Sequence, residues 1–278
     1  MILEQNANIY GLKPLYVFQG ISLIVPDDTP DSLIHEGVSR EAIAAFGNII
    51  DRFFVPSLDG QTCMETVTLG EGELPPGWKA VPLRQVMNII TGGKVADGSG
   101  ILGMIIRSHH ISVWRLDSRF CGSCGGKNMD AESEGLAQQC TVCGRLEFPR
   151  ISPAVTILVT NDKNEVLLAH GSRFQPNVYS LIAGFNEPGE SLEGTVVREV
   201  KEEVDVDVKD VCYVSSQPWS LTGSLMLGFT ARYSGGELKP DGVEILDAKW
   251  FKRDAMPELP GSISLSRHLI DLWLEGKL

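Results

Sequence analysis

The chain has 278 residues, of which 43% are hydrophobic and 22% charged, with a formal net charge of −12 at pH 7. This length accommodates two domains, each with its own core. The negative charge disfavours a general nucleic-acid-binding protein, because such proteins neutralise many phosphates with Lys and Arg. The longest apolar runs, such as 101–106 and 155–159, fall far below the roughly 18 residues that a membrane helix needs. The first residues lack the pattern of a secretion signal, so we expect a cytoplasmic protein without a membrane span.

Residues 1–119 are predicted to form an α+β domain, and they show no catalytic signature. Strands are predicted at 15–19, 21–25 and 66–69, short helices after Asp31, Ser32 and Ser39, and longer helices over 81–90 and 100–116. The segment 70–77 is rich in Gly and Pro and is predicted to be a loop. His109 and His110 are adjacent on a predicted helix and face different directions, so we expect partly exposed polar residues rather than a metal pair.

Four of the six cysteines form two Cys-x2-Cys pairs, Cys121 with Cys124 and Cys140 with Cys143. The pairs and the separation between them are typical of a four-cysteine zinc site. Two redox dithiols or a pair of disulfides are the competing interpretations, and a reducing compartment disfavours both. Four thiolates fill the coordination sphere, so we expect a structural zinc ribbon over 120–149. The two remaining cysteines, 63 and 212, are predicted to be small buried side chains.

Residues 150–278 are predicted to form a second α+β domain. Strands are predicted at 154–160, 165–169, 179–183, 211–215, 224–233 and 249–252, and a closing helix at 266–275. The turn 161–164 is expected to join the first two strands as a hairpin. A helix over 192–204 follows the third strand, with Ser191 as its N-cap. Its apolar stripe consists of Val196, Val200 and Val204.

This helix carries three glutamates, Glu199, Glu202 and Glu203, on the face next to the apolar stripe. Like charges at this spacing repel each other, and the bases Arg198 and Lys201 are expected to point to the other side. A solvated acidic surface is the structural alternative. A divalent cation such as Mg²⁺ would remove the repulsion, because hard cations bind carboxylate and phosphate oxygens. The helix therefore predicts a site for phosphate chemistry.

The spacing of Gly184, Glu190 and the run Arg198-Glu199-Val200-Lys201-Glu202-Glu203 resembles the Nudix box. The chain has Asp205 where that box usually has Gly. Asp adopts the left-handed conformation at modest cost, so we expect a small loss of stability and an intact site. The resemblance implies an α+β fold: a Nudix α/β/α sandwich with a mixed sheet, preceded by a zinc ribbon and an N-terminal α+β domain.

The segment Ser216-Gln217-Pro218-Trp219 and Ser224 resemble the SQPWPFPxS signature of NADH pyrophosphatases within the Nudix superfamily, a family that also has the four-cysteine ribbon. Ser220-Leu221-Thr222 replaces the family's Pro-Phe-Pro. The resemblance implies a homodimer that splits NADH or NAD⁺ into nicotinamide mononucleotide and AMP, and that removes NAD caps from RNA 5′ ends. The alternatives are a Nudix hydrolase for another nucleoside diphosphate derivative such as ADP-ribose, and a non-catalytic nucleotide sensor or zinc-ribbon interaction protein.

The same resemblance implies roles for individual residues. The catalytic residues would be Glu190, Arg198, Glu199, Glu202, Glu203 and Glu244, and the catalytic Mg²⁺ or Mn²⁺ would bind at Ala183, Glu199, Glu203 and Glu244. Substrate would bind at Phe148, Phe185, Gln217, Pro218, Trp219, Ser224, Arg84, Glu134 and Ser264. The aromatic residues among them can instead be core residues, and Glu244 can be a surface acid on a turn. Stacking of Phe148 or Phe185 on a base would contribute on the order of 1 kcal/mol.

Overall fold

The computed structural model describes residues 13–58, 63–95, 98–132 and 135–278. These residues form two compact units. The first contains the described residues up to 90 together with 98–151 and 220–223, and the second contains 91–95, 152–219 and 224–278. The separation of the zinc ribbon as a third domain stays a prediction. Within the described ranges, no helix is both long and apolar enough to cross a membrane.

The first unit is built around a five-stranded mixed sheet. Its strands are β1 (Lys13–Gln19), β2 (Ser22–Pro26), β3 (Ile49–Pro56), β4 (Cys63–Leu69) and β5 (Trp78–Pro82), in the order β3-β4-β1-β2-β5. Two 3-10 helices (Asp31–Glu36 and Arg40–Ala45) and the α-helices α1 (Leu83–Thr91) and α2 (Gly100–Asp117) complete it. The helix predicted from residue 81 begins two residues later, because Val81 pairs with Leu23 in the sheet.

Both faces of this sheet are buried, as the alternation along β1 shows. Tyr16 and Phe18 belong to the cluster that includes residues of α1 and α2, whereas Leu15 and Val17 belong to a cluster with the segments around the 3-10 helices. Successive strand residues point to opposite faces, so one strand contributes to two cores. The first unit therefore has a hydrophobic core of its own on each side of the sheet.

His109 lies in this core, and the prediction that it is partly exposed is wrong. Its ring is almost fully buried, lies edge-on to Phe18 with 5.4 Å between centroids, and Nε2 lies 3.2 Å from the Gly20 carbonyl oxygen. Burial lowers the pKa of His109 to about 4, so the ring is neutral at neutral pH. Cys63 is buried as predicted. The prediction that Cys212 is buried is wrong, because Cys212 lies on an exposed part of the strand Val206–Trp219.

The ribbon of the first unit has three short antiparallel strands, β6 (Asn128–Asp130), β7 (Gln138–Cys140) and β8 (Leu146–Glu147). The second unit contains the strands β9 (Ser152–Thr160), β10 (Val166–Gly171), β11 (Ile182–Phe185), β12 (Val206–Trp219), β13 (Ser224–Gly236) and β14 (Ile245–Phe251). Its helices are α3 (Leu192–Val204) and α4 (Leu265–Leu274). The strand order is β12-β13-β9-β10-β14, with β11 also paired to β9.

The central strand β9 shows why the second unit has three layers. Val155, Ile157 and Val159 pack in the cluster that includes the valine stripe of α3, whereas Leu158 packs in the cluster that includes Leu269 of α4. β9 pairs parallel with β13 and antiparallel with β10 and β11. The second unit is thus a mixed sheet between helices, which confirms the predicted α+β sandwich.

Two strand predictions need correction. The expected hairpin of 154–160 with 165–169 is reduced to the pair Val166 with Thr160, because β11 occupies the earlier part of that edge of β9 and β10 pairs along its length with β14. The third strand begins at Ile182 rather than 179 and continues through Gly184 to Phe185. Gly184 is therefore a strand residue, and this position determines its contact with the acidic helix.

Candidate active site

Helix α3 has the limits and the caps that the sequence predicts. The Ser191 hydroxyl accepts a hydrogen bond from the Gly194 amide at 3.1 Å, which satisfies one of the free donors of the first turn. The helix ends at Asp205, whose φ of 57° and ψ of 26° are left-handed and whose amide donates to the Lys201 carbonyl. The valine stripe is fully buried. Anchored in this way, the helix holds its glutamates at fixed positions.

Two of the three glutamates are buried. Glu199 and Glu203 are each 8% exposed, whereas the Glu202 side chain is 60% exposed. Burial raises the pKa of Glu203 to about 8, and the negative charges of Glu199, Glu244 and Asp241 contribute in the same direction. Burial also raises the pKa of Glu199, against the opposing effect of Arg198. The protein surroundings alone therefore do not stabilise both carboxylates in their ionised form.

The second carboxylate oxygen of Glu203, Oε2, is fully buried and has no hydrogen-bond partner among the described residues. Leaving a buried carboxylate oxygen without a partner is costly. A divalent cation would supply the missing partner and offset the repulsion between the carboxylates. The residues present thus fit a bound metal.

Arg198 lies among the glutamates, and the prediction that it points away from them is wrong. Its guanidinium donates to Glu190 Oε1 at 2.6 Å, to Glu199 Oε1 at 2.8 Å, to Glu202 Oε2 at 2.9 Å and to the Phe185 carbonyl at 2.9 Å. The planar group has five donors and can hold several acceptors at once. The spacing of Arg198 and Glu202, four residues apart on a helix, is the signal in the sequence that predicts such a pair.

Glu190 is held by hydrogen bonds from several directions. The hydrogen bonds from Arg198, followed by the amide of Glu187 and the hydroxyl of Thr195, lower the pKa of Glu190 to about 2. Thr195 in turn accepts a hydrogen bond from the Asn186 side chain at 2.8 Å. Thr195 and Asn186 were not predicted as site residues. Together these bonds fix the loop between β11 and α3.

Gly184 provides space for Glu199. A Cβ atom added at Gly184 would lie 2.0 Å from the Glu199 carboxyl carbon, a distance that no pair of nonbonded atoms tolerates. Its neighbour Ala183 is exposed on β11 and pairs with Thr156 of β9. The close approach of β11 to the helix explains in physical terms why this position of the motif requires a residue without a side chain.

Glu244 lies on the exposed loop that precedes β14, and its negative charge raises the pKa of both Glu199 and Glu203. Asp241, in the same loop, also acts on Glu203 and donates its amide to the Glu203 carbonyl at 3.0 Å. Asp241 is not among the predicted site residues, although the Asp241-Gly242 pair is a turn signal in the sequence. The glutamates are less tightly grouped than the cysteines. In the described chain, the cysteines form the only group of three or more His, Cys, Asp or Glu residues whose ligand atoms all lie within 4.8 Å of one another.

The aromatic residues predicted to bind substrate are accessible. Phe148 and Phe185 are 51% and 52% exposed, so neither is a core residue. Pro218 and Trp219 are half-buried at the end of β12. Arg84 is exposed on α1. Glu134 lies outside the described residues. Contact of these residues with substrate stays a prediction.

Gln217, Ser224 and Ser264 have structural partners or buried positions. The Gln217 amide donates to the Ile263 carbonyl at 2.8 Å and accepts from the Leu265 amide at 2.9 Å. Ser264 caps α4 by accepting from the Arg267 amide, and Ser224 is buried at the start of β13. Gln217 and Ser264 thus stabilise the start of α4, and substrate contacts remain predictions for all three. The turn 220–223 belongs to the first unit, where Leu221 packs against the hydrophobic core.

The four ribbon cysteines form a compact cluster. Sγ of Cys121 and Sγ of Cys143 are 3.7 Å apart, and those of Cys124 and Cys140 are 3.5 Å apart. Tetrahedral zinc with Zn–S bonds of about 2.3 Å requires sulfur atoms roughly this far apart. The amides of Ser123 and Val142 point at Sγ of Cys121 and Cys140, both at 3.4 Å. Donors of this kind stabilise thiolates, so the donor set and its geometry fit a zinc ion.

Comparison with known proteins agrees with this geometry. The family model described as NUDIX domain matches residues 150–272. A protein named NAD-capped RNA hydrolase NudC from Pseudomonas aeruginosa (strain LESB58) is 48% identical over 199 residues, which cover 72% of this chain and 68% of that protein. Proteins of the same name from Stutzerimonas stutzeri (strain A1501) and Pseudomonas fluorescens (strain Pf-5) are 44% and 41% identical, over 77% and 80% of this chain and 75% and 76% of theirs.

The matched residues include the whole acidic site, the sheet, α3 and all but the last two residues of α4. The chain belongs to the Nudix hydrolase superfamily and, within it, to the family that these NAD-capped RNA hydrolases represent. This membership confirms the resemblance drawn from the Nudix box and from the Ser216–Trp219 segment.

Proposed function

We propose that this chain is a Mg²⁺- or Mn²⁺-dependent pyrophosphohydrolase that splits NADH or NAD⁺ into nicotinamide mononucleotide and AMP, and that removes NAD caps from RNA 5′ ends. The observation that carries the proposal is Oε2 of Glu203, on the Nudix helix. This carboxylate oxygen is buried near other carboxylates and has no hydrogen-bond partner among the described residues. The name of the relatives, NAD-capped RNA hydrolase, supports the choice of substrate.

In the proposed reaction each residue of the site has a separate task. Glu199 and Glu203 would hold the divalent metal, Glu244 would add a third carboxylate, and Ala183 would complete the site from β11. When bound, the metal neutralises charge on the pyrophosphate and lowers the pKa of the attacking water. Arg198 keeps Glu190, Glu199 and Glu202 in place through the hydrogen bonds described above. Glu202, exposed at the edge of the cluster, is placed to assist as a ligand or a base.

The accessible rings of Phe148 and Phe185 are proposed to stack on the bases of the dinucleotide. About half of the surface of each residue is open to solvent, and stacking on an accessible ring contributes on the order of 1 kcal/mol. The substitution of Ser220-Leu221-Thr222 for Pro-Phe-Pro removes an aromatic side chain from the signature. We further propose a homodimer, a structural zinc in the ribbon and a cytoplasmic location.

A substrate panel tests the proposal. Purified protein is incubated with NADH, NAD⁺, NAD-capped RNA and ADP-ribose, each with Mg²⁺ or with Mn²⁺, and the products are identified by chromatography and mass spectrometry. Reduced nicotinamide mononucleotide and AMP from NADH are the expected products. Turnover of ADP-ribose with the dinucleotides and the capped RNA untouched would contradict the substrate assignment.

Glu203→Gln should abolish product formation on every substrate of the panel, while the fold is retained. The amide has the same shape and removes one anionic metal ligand, whereas the valine stripe that anchors the helix is unchanged. Glu193→Gln is the matched control, because Glu193 is an exposed glutamate in the first turn of the same helix. Wild-type turnover in the Glu203 variant would remove this glutamate from the metal site.

A further inference from the structure

The loop that carries Glu244 is shaped by the side chain of Asp241. Asp241 Oδ1 accepts hydrogen bonds from the amides of Val243 at 3.0 Å, Glu244 at 3.1 Å and Ile245 at 2.8 Å. The Glu244 amide also lies 3.2 Å from Oδ2. Gly242 has a φ of 75° and donates its amide to the Ile245 carbonyl at 3.0 Å. One carboxylate thus accepts hydrogen bonds from three successive amides, and these bonds hold residues 241–245 in a tight turn.

The same loop is attached to the acidic helix. The Asp241 amide donates to the Glu203 carbonyl at 3.0 Å, and the Lys239 amide donates to the Val204 carbonyl at 2.9 Å. On its other side, the Glu244 carbonyl accepts from the Ser172 amide at 2.8 Å. The backbone of Glu244 is therefore fixed through its carbonyl by Ser172, at the end of β10, and through its amide by Asp241. The position of its side chain relative to Glu203 depends on these hydrogen bonds.

We propose that Asp241 is a positioning residue that places Glu244 at the metal site by holding the loop 241–245 in its closed turn. The inference rests on the proposed function, because it takes Glu244 as a metal ligand. The oxygens of Asp241 accept from backbone amides, so this carboxylate acts on the loop rather than as a further ligand. Outer residues of this kind orient the groups that bind a metal, and their loss reduces metal affinity.

Metal affinity measured directly on the zinc-containing full chain tests the proposal. Free Mn²⁺ is quantified by electron paramagnetic resonance as protein is titrated, so the readout does not depend on turnover. Asp241→Ala removes the acceptor and should weaken Mn²⁺ binding about 10-fold. Asp241→Asn keeps an oxygen that accepts from the three amides and should stay within about threefold of wild type. It keeps the geometry of the turn and loses only charge, both in these hydrogen bonds and in the effect of Asp241 on Glu203.

Two further variants separate geometry from charge and from general damage. Asp241→Glu keeps the charge and moves the oxygens by one methylene, so it should bind Mn²⁺ as weakly as the alanine variant; it carries the test if the alanine variant does not fold. Asp162→Ala is the matched control, because Asp162 is an exposed aspartate in another turn of the same unit. It should bind Mn²⁺ like wild type.

A double-mutant cycle with Glu244→Gln shows whether Asp241 acts through Glu244. If it does, adding Asp241→Ala to Glu244→Gln should cause no further loss of Mn²⁺ affinity. Equal losses for the alanine and asparagine variants, wild-type binding by the glutamate variant, or additive losses in the double variant would each overturn the proposal. Failure of the proposed function is distinguishable, because Glu203→Gln would then leave Mn²⁺ affinity unchanged.

Discussion

At the scale of a single residue, Glu203 makes the stability of the protein depend on pH. Its pKa in the folded state is about 8, raised first by burial and then by neighbouring carboxylates, whereas glutamate in an unfolded chain titrates near 4.3. The folded protein therefore binds this proton more tightly than the unfolded chain. The stabilisation is complete below the unfolded pKa and is lost as the pH rises through the folded one.

We therefore expect the Tm of the protein without added Mg²⁺ or Mn²⁺ to fall as the pH is raised from about 5 to about 8. Mn²⁺ should raise the Tm more at the upper end of this range, because the ionised carboxylates bind it. Differential scanning calorimetry in metal-free buffers, without chelator so that the ribbon keeps its zinc, measures both effects. Glu203→Gln should flatten the profile, and an unchanged slope in that variant would assign the effect to other groups.

Asp205 is the one departure from the Nudix box, and substituting it measures what this departure costs in free energy of unfolding. Asp205→Gly should raise the free energy of unfolding by about 0.5 kcal/mol, because glycine adopts the left-handed conformation without a Cβ penalty. The ion pair with Lys201 is half-exposed on both sides, so its loss costs little. Urea denaturation measures the change. Asp205→Ala is the control and should destabilise, and a glycine variant less stable than the alanine variant would contradict the explanation.

At the scale of elements, the site depends on the packing of β11 against α3. Gly184→Ala should displace the Glu199 carboxylate, which lies where the new methyl group would be. A misplacement of about 1 Å in a reacting group can cost on the order of 100-fold in rate, so we expect at least that loss of kcat on NADH. Steady-state kinetics and Mn²⁺ binding should both show it.

Gly194→Ala is the matched control on the same helix. The nearest atom to its new Cβ would be the Ser191 hydroxyl oxygen at 3.4 Å, which is close to ordinary contact. The higher helix propensity of alanine should leave activity unchanged and stabilise the protein by about 0.5 kcal/mol. Equal activity of the two alanine variants would show that the Gly184 position tolerates a side chain and that Glu199 can move without consequence.

At the scale of the whole molecule, we expect the zinc content and the thermal stability to depend on the same ribbon cysteines. Cys124→Ser should lower the Tm and the zinc content together, because a structural zinc contributes folding free energy through its thiolate ligands. Inductively coupled plasma mass spectrometry and thermal denaturation measure the two quantities on the same sample. Cys212→Ser is the control, because Cys212 is an exposed cysteine outside the cluster. It should change neither the Tm nor the zinc content. Wild-type protein that contains no zinc after purification without chelators would refute the assignment.

The amino-acid sequence by itself determined the limits of α3, the residues of its apolar stripe and the four cysteines of the ribbon. Each of these features depends on short-range physics: a capping serine beside the first turn, a period of 3.6 residues, or a pair of thiols on one tight turn. The Nudix box also identified the family, because its residues have a fixed spacing within one segment. Even the left-handed residue at Asp205 was predicted from its place at the end of the helix.

Only the tertiary structure decided the features that join segments distant in the sequence. Arg198 turns toward the glutamates because β11 brings the Phe185 carbonyl within reach of its guanidinium. Gln217 is buried because its side-chain amide finds two backbone partners, the Ile263 carbonyl before α4 and the Leu265 amide at the start of α4. Asp241 lies beside the site because its loop is hydrogen-bonded to the end of α3. The sequence pattern of one segment specifies which side chains it can offer, and the fold alone determines which partners they meet.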